Sequence, residues 1–375
     1  MLKCEDLKKI FDENDLTFFS GVPDSTFKGW MNYLAEGNGM KNIIACNECE
    51  AVANCSGYHL ATGKVGVVYM QNSGLGKTVN PITSLVDKEI YSIPMVLMIG
   101  WRGNPNDEKE DEPQHKMMGK IMFPLLNILD IPYKIIPEDK VEAAIVIEKM
   151  KKIAEETKHP VAIIIQKGII DNYNWGENKE EKYEMLREDA IKTIIDNLDG
   201  DEVIVSTTGH ASRELFEYRV AKEEKHRDFY TVGSMGCSAS IGNIIALEKP
   251  DKKIFVFDGD GAVLMQKGAL ASIGNYGANN FYHIIFDNHS YDSTGGQPSV
   301  SESINFEKIA EGCGYNFIKK AKTKLELLDS IKELKEKQGP CMLIVNINKG
   351  SRKNLGRPTT TPIENKEAFM EFLNK

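Results

Sequence analysis

Short apolar segments rich in β-branched residues alternate with amphipathic segments along almost the whole chain. A continuous apolar segment such as Met95–Ile99 is typical of a strand in a parallel sheet that is covered on both faces. The alternation of such segments with helices indicates repeated βαβ units. The predicted strands are Thr17–Ser20, Asn42–Ala45, Val65–Met70, Met95–Ile99, Val161–Gln166, Glu202–Ser206, Asp228–Thr231, Lys253–Phe257, Tyr282–Phe286 and Met342–Asn346.

The amphipathic segments predict the helices of these units. They are Met1–Leu16, Ser25–Leu34, Glu48–Ala61, Leu75–Val86, Met117–Leu129, Lys140–Glu156, Ala211–Ala221, Ala239–Leu247, Ala262–Tyr276, Phe306–Gly312, Lys324–Lys337 and Glu364–Leu373. A polar stretch without periodicity, Gly168–Lys182, interrupts the alternation and predicts an interdomain linker. We therefore predict two α/β domains, each a doubly wound parallel sheet, which span residues 1–175 and 176–375.

The charge composition indicates which kinds of partner the protein can bind. The 46 basic and 55 acidic residues give a net charge of −9, and an acidic surface repels nucleic acid and anionic membranes. We expect neither as a partner, although a local basic site for a small anion is compatible with this charge. The chain has no run of 18 apolar residues and no apolar export signal, so we expect a cytoplasmic protein whose seven cysteines are reduced thiols.

The strongest chemical signal lies in the second half. An apolar strand runs into Gly259-Asp260-Gly261, and the next predicted strand ends just before Asn288. The carboxyl ends of strands in an open α/β sheet form the edge at which ligands bind. Glycines allow the backbone to approach a phosphate, and the start of the following helix offers free N–H groups. A carboxylate, an amide oxygen and a loop carbonyl form an oxygen site suited to Mg²⁺.

The separation of 28 residues between Asp260 and Asn288 resembles the diphosphate-binding motif of the thiamine diphosphate enzymes. The resemblance implies thiamine diphosphate as the cofactor, with Mg²⁺ bound by Asp260, Asn288 and the backbone carbonyl of Ser290. It implies that Met235 holds the cofactor in a bent shape, whereas an ordinary core position is the commoner fate of a methionine. The cofactor-binding residues implied in this half are Thr208, Gly209, His210, Gly233, Ser234, Met235, Gly259, Asp260, Gly261 and Asn288.

The first half carries a second feature of the same family. Glu48 begins a predicted helix nine residues before Gly57-Tyr58, a spacing that resembles the catalytic glutamate of the thiamine diphosphate enzymes. The resemblance implies that Glu48 hydrogen-bonds the aminopyrimidine ring and so promotes loss of the thiazolium C2 proton. Glu50 is the nearby alternative, and a glutamate at a helix start is also favoured simply by the helix dipole.

Six segments narrow the resemblance to the phosphonopyruvate decarboxylases, with the sulfopyruvate decarboxylases as the nearest relatives. They are Ser20–Ser25, Met70–Gly74, Ile99–Gly103, Asp111–His115, Tyr291–Gln297 and Gly350–Pro358. The implied reaction is decarboxylation of 3-phosphonopyruvate to phosphonoacetaldehyde and CO₂ in phosphonate biosynthesis. Only the short predicted linker separates the halves, so we expect no middle domain. Decarboxylation of sulfopyruvate is the alternative reaction, and a non-catalytic relative or a pyruvate carboligase is less favoured.

The substrate implied by this resemblance is a small anionic 2-oxo acid, which suits arginine and lysine side chains. The candidates are Arg102, His115, Lys116, Arg352, Lys353 and Arg357, each of which would otherwise be an exposed residue without a ligand. His115 is also the candidate proton shuttle. The basic tail Lys349–Pro362 is either a mobile chain end or a flap that binds the anion.

The resemblance also implies assembly. In thiamine diphosphate enzymes the groups equivalent to Glu48 and Asp260 come from different subunits. A closed symmetric pairing is the commonest form of homo-oligomer. We therefore expect a homodimer or a larger assembly, with two active sites at each dimer interface.

Overall fold

The computed structural model describes residues 1–107, 110–174 and 181–375. The chain forms two compact units. The first unit is Met1–Glu177 with Thr294–Gln297, and the second is Asn178–Ser293 with Pro298–Lys375. The division predicted after residue 175 and part of the predicted linker lie outside the described residues, so that boundary stays a prediction.

The first unit contains a six-stranded parallel sheet with helices on both faces. Its strands are β1 (Phe18–Gly21), β2 (Lys41–Ile44), β3 (Gly66–Gln71), β4 (Met95–Gly100), β5 (Tyr133–Ile135) and β6 (Val161–Ile165). They are arranged in the order β2-β1-β3-β4-β6-β5. The helices are α1 (Cys4–Glu13), α2 (Lys28–Ala35), α3 (Glu48–Thr62), α4 (Leu75–Pro81), α5 (Pro113–Ile128) and α6 (Lys140–Thr157), with short helical turns at Ser25–Phe27, Asn72–Gly74 and Ile82–Val86.

Alternate residues of these strands enter two separate cores. Val67 and Val96 belong to the core under α1, α2 and α6, whereas their neighbours Val68 and Leu97 belong to the core under α3, α4 and α5. Side chains in a strand point alternately to the two faces, so both faces of this sheet are buried. This explains why its strands are continuously apolar.

The second unit repeats this arrangement. Its strands are β7 (Val203–Ser206), β8 (Phe229–Tyr230), β9 (Ile254–Gly259), β10 (Phe281–Asp287), the short β11 (Ser290–Tyr291) and β12 (Gln297–Pro298), β13 (Phe317–Ala321) and β14 (Cys341–Asn346). The parallel sheet has the order β13-β14-β10-β9-β7-β8. The helices are α7 (Arg187–Ile195), α8 (His210–Ala221), α9 (Ser238–Glu248), α10 (Asp260–Met265), α11 (Gly268–Tyr276), α12 (Phe306–Gly312), α13 (Lys324–Lys335) and α14 (Pro362–Leu373), with short helical turns at Asp292–Thr294 and Val300–Ser303.

The two main sheets share one topology. If the six strands of each main sheet are numbered in chain order, both sheets have the order 2-1-3-4-6-5. The order reverses between the first and third strands, which are β1 and β3 in one unit and β7 and β9 in the other. Ligands bind in open α/β sheets at such a reversal, outside the carboxyl ends of the strands. The predicted pair of doubly wound α/β sheets is thus confirmed, and the topology identifies one candidate edge in each.

Two edge strands and two helical segments differ from the prediction. The edge strands β5 and β13 were absent from it, because lysines such as Lys134, Lys319 and Lys320 interrupt their apolar pattern. Edge strands commonly carry lysine, which blocks pairing with other chains. Helix α7 was also absent. The single helix predicted at Ala262–Tyr276 is two helices, because Gln266 leaves the helical conformation (φ −128°, ψ 41°). Among the described residues, every helix is too short or too polar to span a membrane.

Candidate active site

The carboxyl edge of the first sheet places Glu48. The register pairs Gly21, at the end of β1, with Ile44 and with Tyr69 on its two neighbours. Helix α3 begins at Glu48, directly after the loop that follows β2. The carboxylate therefore lies at the same edge as the ends of β1 and β3.

Glu48 is buried, with 6% of its surface exposed. Its Oε2 makes no hydrogen bond to any described residue, although Lys77 Nζ lies 3.6 Å away. Gly74 packs so closely that a Cβ there would lie 2.4 Å from Glu48 Oε1. A buried polar atom without a hydrogen bond is uncommon and indicates a partner that the chain itself does not supply.

Glu50 is engaged in a local role. Its backbone N–H donates to Asn47 Oδ1 at 3.0 Å, and its carboxylate accepts from the Cys46 N–H at 2.9 Å. These two bonds cap the start of α3. The geometry therefore favours Glu48 over Glu50 as the group available to a ligand.

Asp24 is a second buried carboxylate at this edge, and the sequence motifs did not single it out. Gln71 Nε2 donates to Asp24 Oδ1 at 3.0 Å, while Oδ2 makes no hydrogen bond to a described residue. Burial raises the pKa of Asp24 above its usual value, and hydrogen bonds and the charge of Arg102 oppose the rise. Gly100 is required beside it, since a Cβ there would lie 1.8 Å from Oδ2.

Arg102 is held by a carboxylate. Its Nε and Nη2 donate to Asp111 at 2.7 and 2.6 Å, and its Nη1 donates to Ser25 Oγ at 3.1 Å. His115 is half-buried, and its Nδ1 makes no hydrogen bond to a described residue. Burial, and then the charge of Arg102, lower the pKa of His115 to about 4, so its imidazole is neutral at neutral pH. Lys116 pairs instead with Glu110 at 2.5 Å.

The carboxyl edge of the second sheet places Asp260. The register pairs Gly259, at the end of β9, with Phe286 on β10. The next residue of each segment, Asp260 and Asp287, therefore lies at the same edge of the sheet. Asp260 is 3% exposed and accepts a hydrogen bond from Ser299 Oγ. Burial, and then the charge of Asp287, raise the pKa of Asp260 to about 6, while hydroxyl hydrogen bonds oppose the rise.

Asn288 completes this edge. Its Nδ2 donates to Asp292 Oδ2 at 2.8 Å, and its Oδ1 accepts from the Ser290 N–H at 3.0 Å. The hydroxyl of Ser290 is buried without a hydrogen bond to a described residue. Two mutually repelling buried carboxylates, Asp260 and Asp287, beside an amide oxygen suit a hard divalent cation. The residues present therefore fit Mg²⁺, although the described residues contain no cluster of three or more carboxylate, histidine or cysteine ligands.

Two further loops lie at the ends of β7 and β8. Thr208 Oγ1 donates to the Val232 carbonyl at 3.0 Å and so joins the two loops. Gly209, at φ +93°, adopts a conformation that favours glycine, and α8 begins directly after it. Burial, and then Arg187 and Arg213, lower the pKa of His210 to about 4.

In the loop after β8, Ser234 has the unusual φ of +51°, and Gly233 and Met235 flank it. Met235 reaches the Gly-Asp-Gly segment, because a Cβ on Gly261 would lie 3.2 Å from Met235 Cε. The structure thus brings Met235 and Gly261 together. Non-glycine residues in this left-handed region are uncommon and cluster at functional sites.

The C-terminal tail is bonded to α7 and α8. Arg352 pairs with Glu188 at 3.1 Å and also with Glu217. Arg213 donates to the carbonyls of Leu355 and Gly356. The charge of Arg352 is therefore engaged by carboxylates in this structure. Lys353 and Arg357 are exposed.

Residues that the sequence motifs missed are carboxylates and hydroxyls in loops. Asp24 and Asp111 lie within segments that carried the family resemblance but had no role assigned. Asp287 directly precedes Asn288, a position that marks it as a strand-end residue. Asp292 lies within another of these segments, Tyr291–Gln297, and Ser299 lies outside them. Only the fold brings these two residues to Asn288 and Asp260.

Comparison with known proteins agrees with this geometry. The family models for the N-terminal and C-terminal TPP-binding domains of thiamine pyrophosphate enzymes match residues 5–122 and 207–345. A phosphonopyruvate decarboxylase from Streptomyces viridochromogenes is 31% identical, over 100% of this chain and 95% of the relative. A second, from Streptomyces hygroscopicus, is 29% identical over 99% of this chain and 94% of its own. The sulfopyruvate decarboxylase subunit beta of Methanocaldococcus jannaschii is 35% identical over 50% of this chain and 97% of its own.

The matches to two cofactor-binding domains correspond to the two units with the same topology. The full-length similarity confirms the family that the sequence motifs indicated. The chain therefore belongs to the thiamine pyrophosphate enzymes, within the group of decarboxylases that includes the phosphonopyruvate decarboxylases.

Proposed function

We propose that this chain decarboxylates 3-phosphonopyruvate to phosphonoacetaldehyde and CO₂, with thiamine diphosphate and Mg²⁺ as cofactors. The observation that carries the proposal is the similarity to a phosphonopyruvate decarboxylase over 100% of this chain and 95% of the relative. When bound, the cofactor supplies an electron sink for the electrons of the broken carbon–carbon bond. The residues of the chain must then hold the cofactor, orient the substrate and move protons.

Glu48 is the proposed proton-transfer group of the first unit. Its buried carboxylate has an oxygen without a hydrogen bond to a described residue, which leaves that oxygen available to a ring nitrogen. A fixed acid–base group of this kind contributes about 10²–10⁴-fold to a rate. His115 is the proposed proton shuttle, because its neutral imidazole can accept a proton at one nitrogen and donate from the other.

The second unit is proposed to hold the diphosphate and the metal. Asp260, Asn288 and the carbonyl of Ser290 would bind Mg²⁺. The buried repulsion between Asp260 and Asp287, which a cation would relieve, supports this role. The proposed contacts to the cofactor are Thr208, Gly209, His210, Gly233, Ser234, Met235, Gly259 and Gly261.

The anionic group of the substrate needs positive charge. Among the candidates Arg102, Lys116 and Arg352, which each form an ion pair, Arg102 has the least exposed side chain. Asp111 fixes the orientation of Arg102 through two hydrogen bonds. Lys116, Arg352, Lys353 and Arg357 remain proposed contacts. For Arg352 to bind substrate, its pairs with Glu188 and Glu217 must open.

Sulfopyruvate decarboxylation is the second candidate. The 35% identity to a sulfopyruvate decarboxylase subunit over half the chain favours it. A sulfonate carries one negative charge and a phosphonate up to two, so the number of cationic donors around the substrate separates the two functions.

A parallel assay of purified protein tests the choice. Phosphonopyruvate, sulfopyruvate and pyruvate are compared for CO₂ release and aldehyde formation, with Glu48→Gln as the background. We expect the highest kcat/KM for phosphonopyruvate. A higher value for sulfopyruvate would establish the alternative, and equal values for pyruvate would contradict recognition of the anionic group.

We also propose that the active protein is a homodimer or a larger assembly. Each site would take Glu48 from one chain and Asp260 from another. Co-refolding of Glu48→Gln with Asp260→Ala then creates heterodimers with one intact site, and random one-to-one mixing recovers up to about a quarter of all sites. No recovery in demonstrated heterodimers would contradict this arrangement. The cytoplasmic location remains a prediction.

A further inference from the structure

Asp292, in the helical turn after β11, collects three hydrogen bonds on a single oxygen. Its Oδ2 accepts from Asn288 Nδ2 at 2.8 Å, from the Gly350 N–H at 3.0 Å and from Arg187 Nη1 at 3.4 Å. The Asp292 side chain is 10% exposed. It therefore joins the loop after β10, the helix α7 and the start of the C-terminal tail.

The contacts of Asn288 permit one orientation of its amide. Nδ2 donates to Asp292, and Oδ1 accepts from the Ser290 N–H. If the amide were flipped, its oxygen would face a carboxylate oxygen and its NH₂ group would face a backbone N–H. Both contacts would then be repulsive, so Asp292 and the Ser290 N–H together fix where the amide oxygen points.

Asp292 is itself held in place. Arg187 donates to Glu214 through Nε at 2.8 Å and Nη2 at 3.1 Å, and its third nitrogen reaches Asp292. Glu214 is 1% exposed, so this end of the network is anchored in the core between α7 and α8. The two carboxylates and one guanidinium leave a net charge of −1, which favours a nearby cation.

We propose that Asp292 is a positioning residue that keeps the amide oxygen of Asn288 turned toward the divalent cation. The inference rests on the Mg²⁺ site of the proposed function. An amide oxygen has two lone pairs, and the Ser290 N–H uses one of them, so the second is available to a metal. Asp292 needs no contact with the metal or the substrate to act in this way.

The test measures metal affinity rather than turnover. Mn²⁺ replaces Mg²⁺, and its binding to full-length protein saturated with thiamine diphosphate is followed by electron paramagnetic resonance. Loss of a partner that orients a metal ligand typically weakens metal binding about 10–100-fold. We expect a loss of that size for Asp292→Ala.

Two matched variants distinguish the loss of the Asn288 amide orientation from the loss of the Asp292 charge and from general damage to the fold. Asp292→Asn should bind Mn²⁺ nearly as well as wild type, because its amide oxygen can still accept the hydrogen bond from Asn288 Nδ2. Asp199→Ala is the control, since Asp199 is an exposed carboxylate of the same unit that pairs with Lys335 at 2.5 Å. It should leave Mn²⁺ affinity unchanged.

A double-mutant cycle tests whether Asp292 acts through Asn288. The loss in Asn288→Ala should not increase when Asp292→Ala is added, because residues that act through one another are not additive. Thermal unfolding of each variant checks that it is folded. If Asp292→Ala does not fold, Asp292→Ser carries the same test, since its hydroxyl is too short to replace the carboxylate.

The outcomes distinguish this inference from the proposed function. If Asp260→Ala still binds Mn²⁺ like wild type, the metal site itself is wrong. If Asp260→Ala loses Mn²⁺ while Asp292→Ala binds it as tightly as Asp199→Ala, only the positioning role is overturned. Additive losses in the cycle, or an Asp292→Asn variant as weak as Asp292→Ala, would overturn it as well.

Discussion

The carboxyl edges of the two sheets share one strand order, but the side chains proposed to act at each edge are hydrogen-bonded differently. At the first edge, Asp24, Glu48 and His115 each have a buried atom without a hydrogen bond to a described residue. At the second edge, the side chains of Asp260 and Asn288 are both bonded by neighbouring side chains or backbone. The Ser290 hydroxyl there is buried without a hydrogen bond to a described residue, but it has no proposed role. The first edge therefore leaves groups available for the proposed proton transfer, whereas the second holds its proposed metal ligands in fixed positions.

This difference indicates a division of labour within one repeated topology. A group that transfers protons must exchange partners, so a complete set of internal hydrogen bonds would hinder it. A group that retains a cation works best when its oxygens are already oriented. Variants at the second edge should therefore affect retention of the cofactor, and variants at the first edge should affect the rate.

Metal removal acts on the second edge and should have the largest effect. Exhaustive dialysis against a chelator should reduce decarboxylation to background, because it removes the Mg²⁺ proposed to bind Asp260 and Asn288. Mg²⁺ and thiamine diphosphate added together should restore activity, as measured by CO₂ release. Full activity after chelation, against a control dialysed without chelator, would contradict a metal at this edge.

Glu48→Gln acts on the first edge and preserves the shape of the side chain. We expect kcat to fall about 10²–10⁴-fold, because the variant cannot exchange a proton with the cofactor. Glu50→Gln is the matched control at the start of the same helix and should retain most activity, since Glu50 caps the helix. Activity of Glu48→Gln within about threefold of wild type would remove it from the general acid–base role.

Gly74→Ala tests how closely Glu48 is held. The added Cβ would lie 2.4 Å from Glu48 Oε1 and would displace the carboxylate. A misplacement of about 1 Å can cost about 10²-fold in rate. Gly76→Ala is the control, because its Cβ meets nothing within 4 Å and alanine favours the helix by about 0.5–1 kcal/mol. Equal activity of the two variants would show that Glu48 tolerates movement.

Acidification should have the smallest effect, which is a decrease in the free energy of unfolding to which both units contribute. The pKa of His115 in the first unit and of His210 in the second is lowered to about 4, whereas an unperturbed histidine has a pKa near 6.5. The unfolded chain therefore binds protons more readily, and the free energy of unfolding should decrease as the pH falls from about 6.5 towards 4.

Denaturant unfolding at several pH values measures this decrease. His115→Gln and His210→Gln should each reduce it, because each removes one histidine that is held neutral in the folded state. A pH dependence that neither substitution changes would mean that other groups cause it.

The sequence predicted the fold well where burial dictates the pattern. Continuous apolar segments such as Met95–Ile99 are strands of sheets buried on both faces. The sequence did not predict the edge strands β5 and β13, because their outer positions face solvent and carry lysines. The sequence did not predict helix α7 either. This helix lies close to the polar stretch Gly168–Lys182, which predicts a linker.

The candidate site was predictable only in part. Asp260 and Asn288 follow apolar strands at a spacing that resembles a known motif, and Glu48 has a comparable spacing to Gly57-Tyr58. Asp24 and Asp292 lie within segments that carry the family resemblance, but their contacts, like those of Ser299, depend on the tertiary fold. No local pattern therefore assigns these residues a role. The sequence indicates the tail residue Arg352 as a candidate contact for an anion, but Glu188 and Glu217 engage its charge in the structure.

The most direct test of the division of labour is a calorimetric titration of thiamine diphosphate, in the presence of Mg²⁺, into Glu48→Gln and Asp260→Ala. Turnover is measured on the same preparations. We predict that Glu48→Gln binds the cofactor nearly as tightly as wild type but turns over poorly, and that Asp260→Ala shows no saturable binding. Wild-type binding by Asp260→Ala, or equal loss of binding in both variants, would contradict the account.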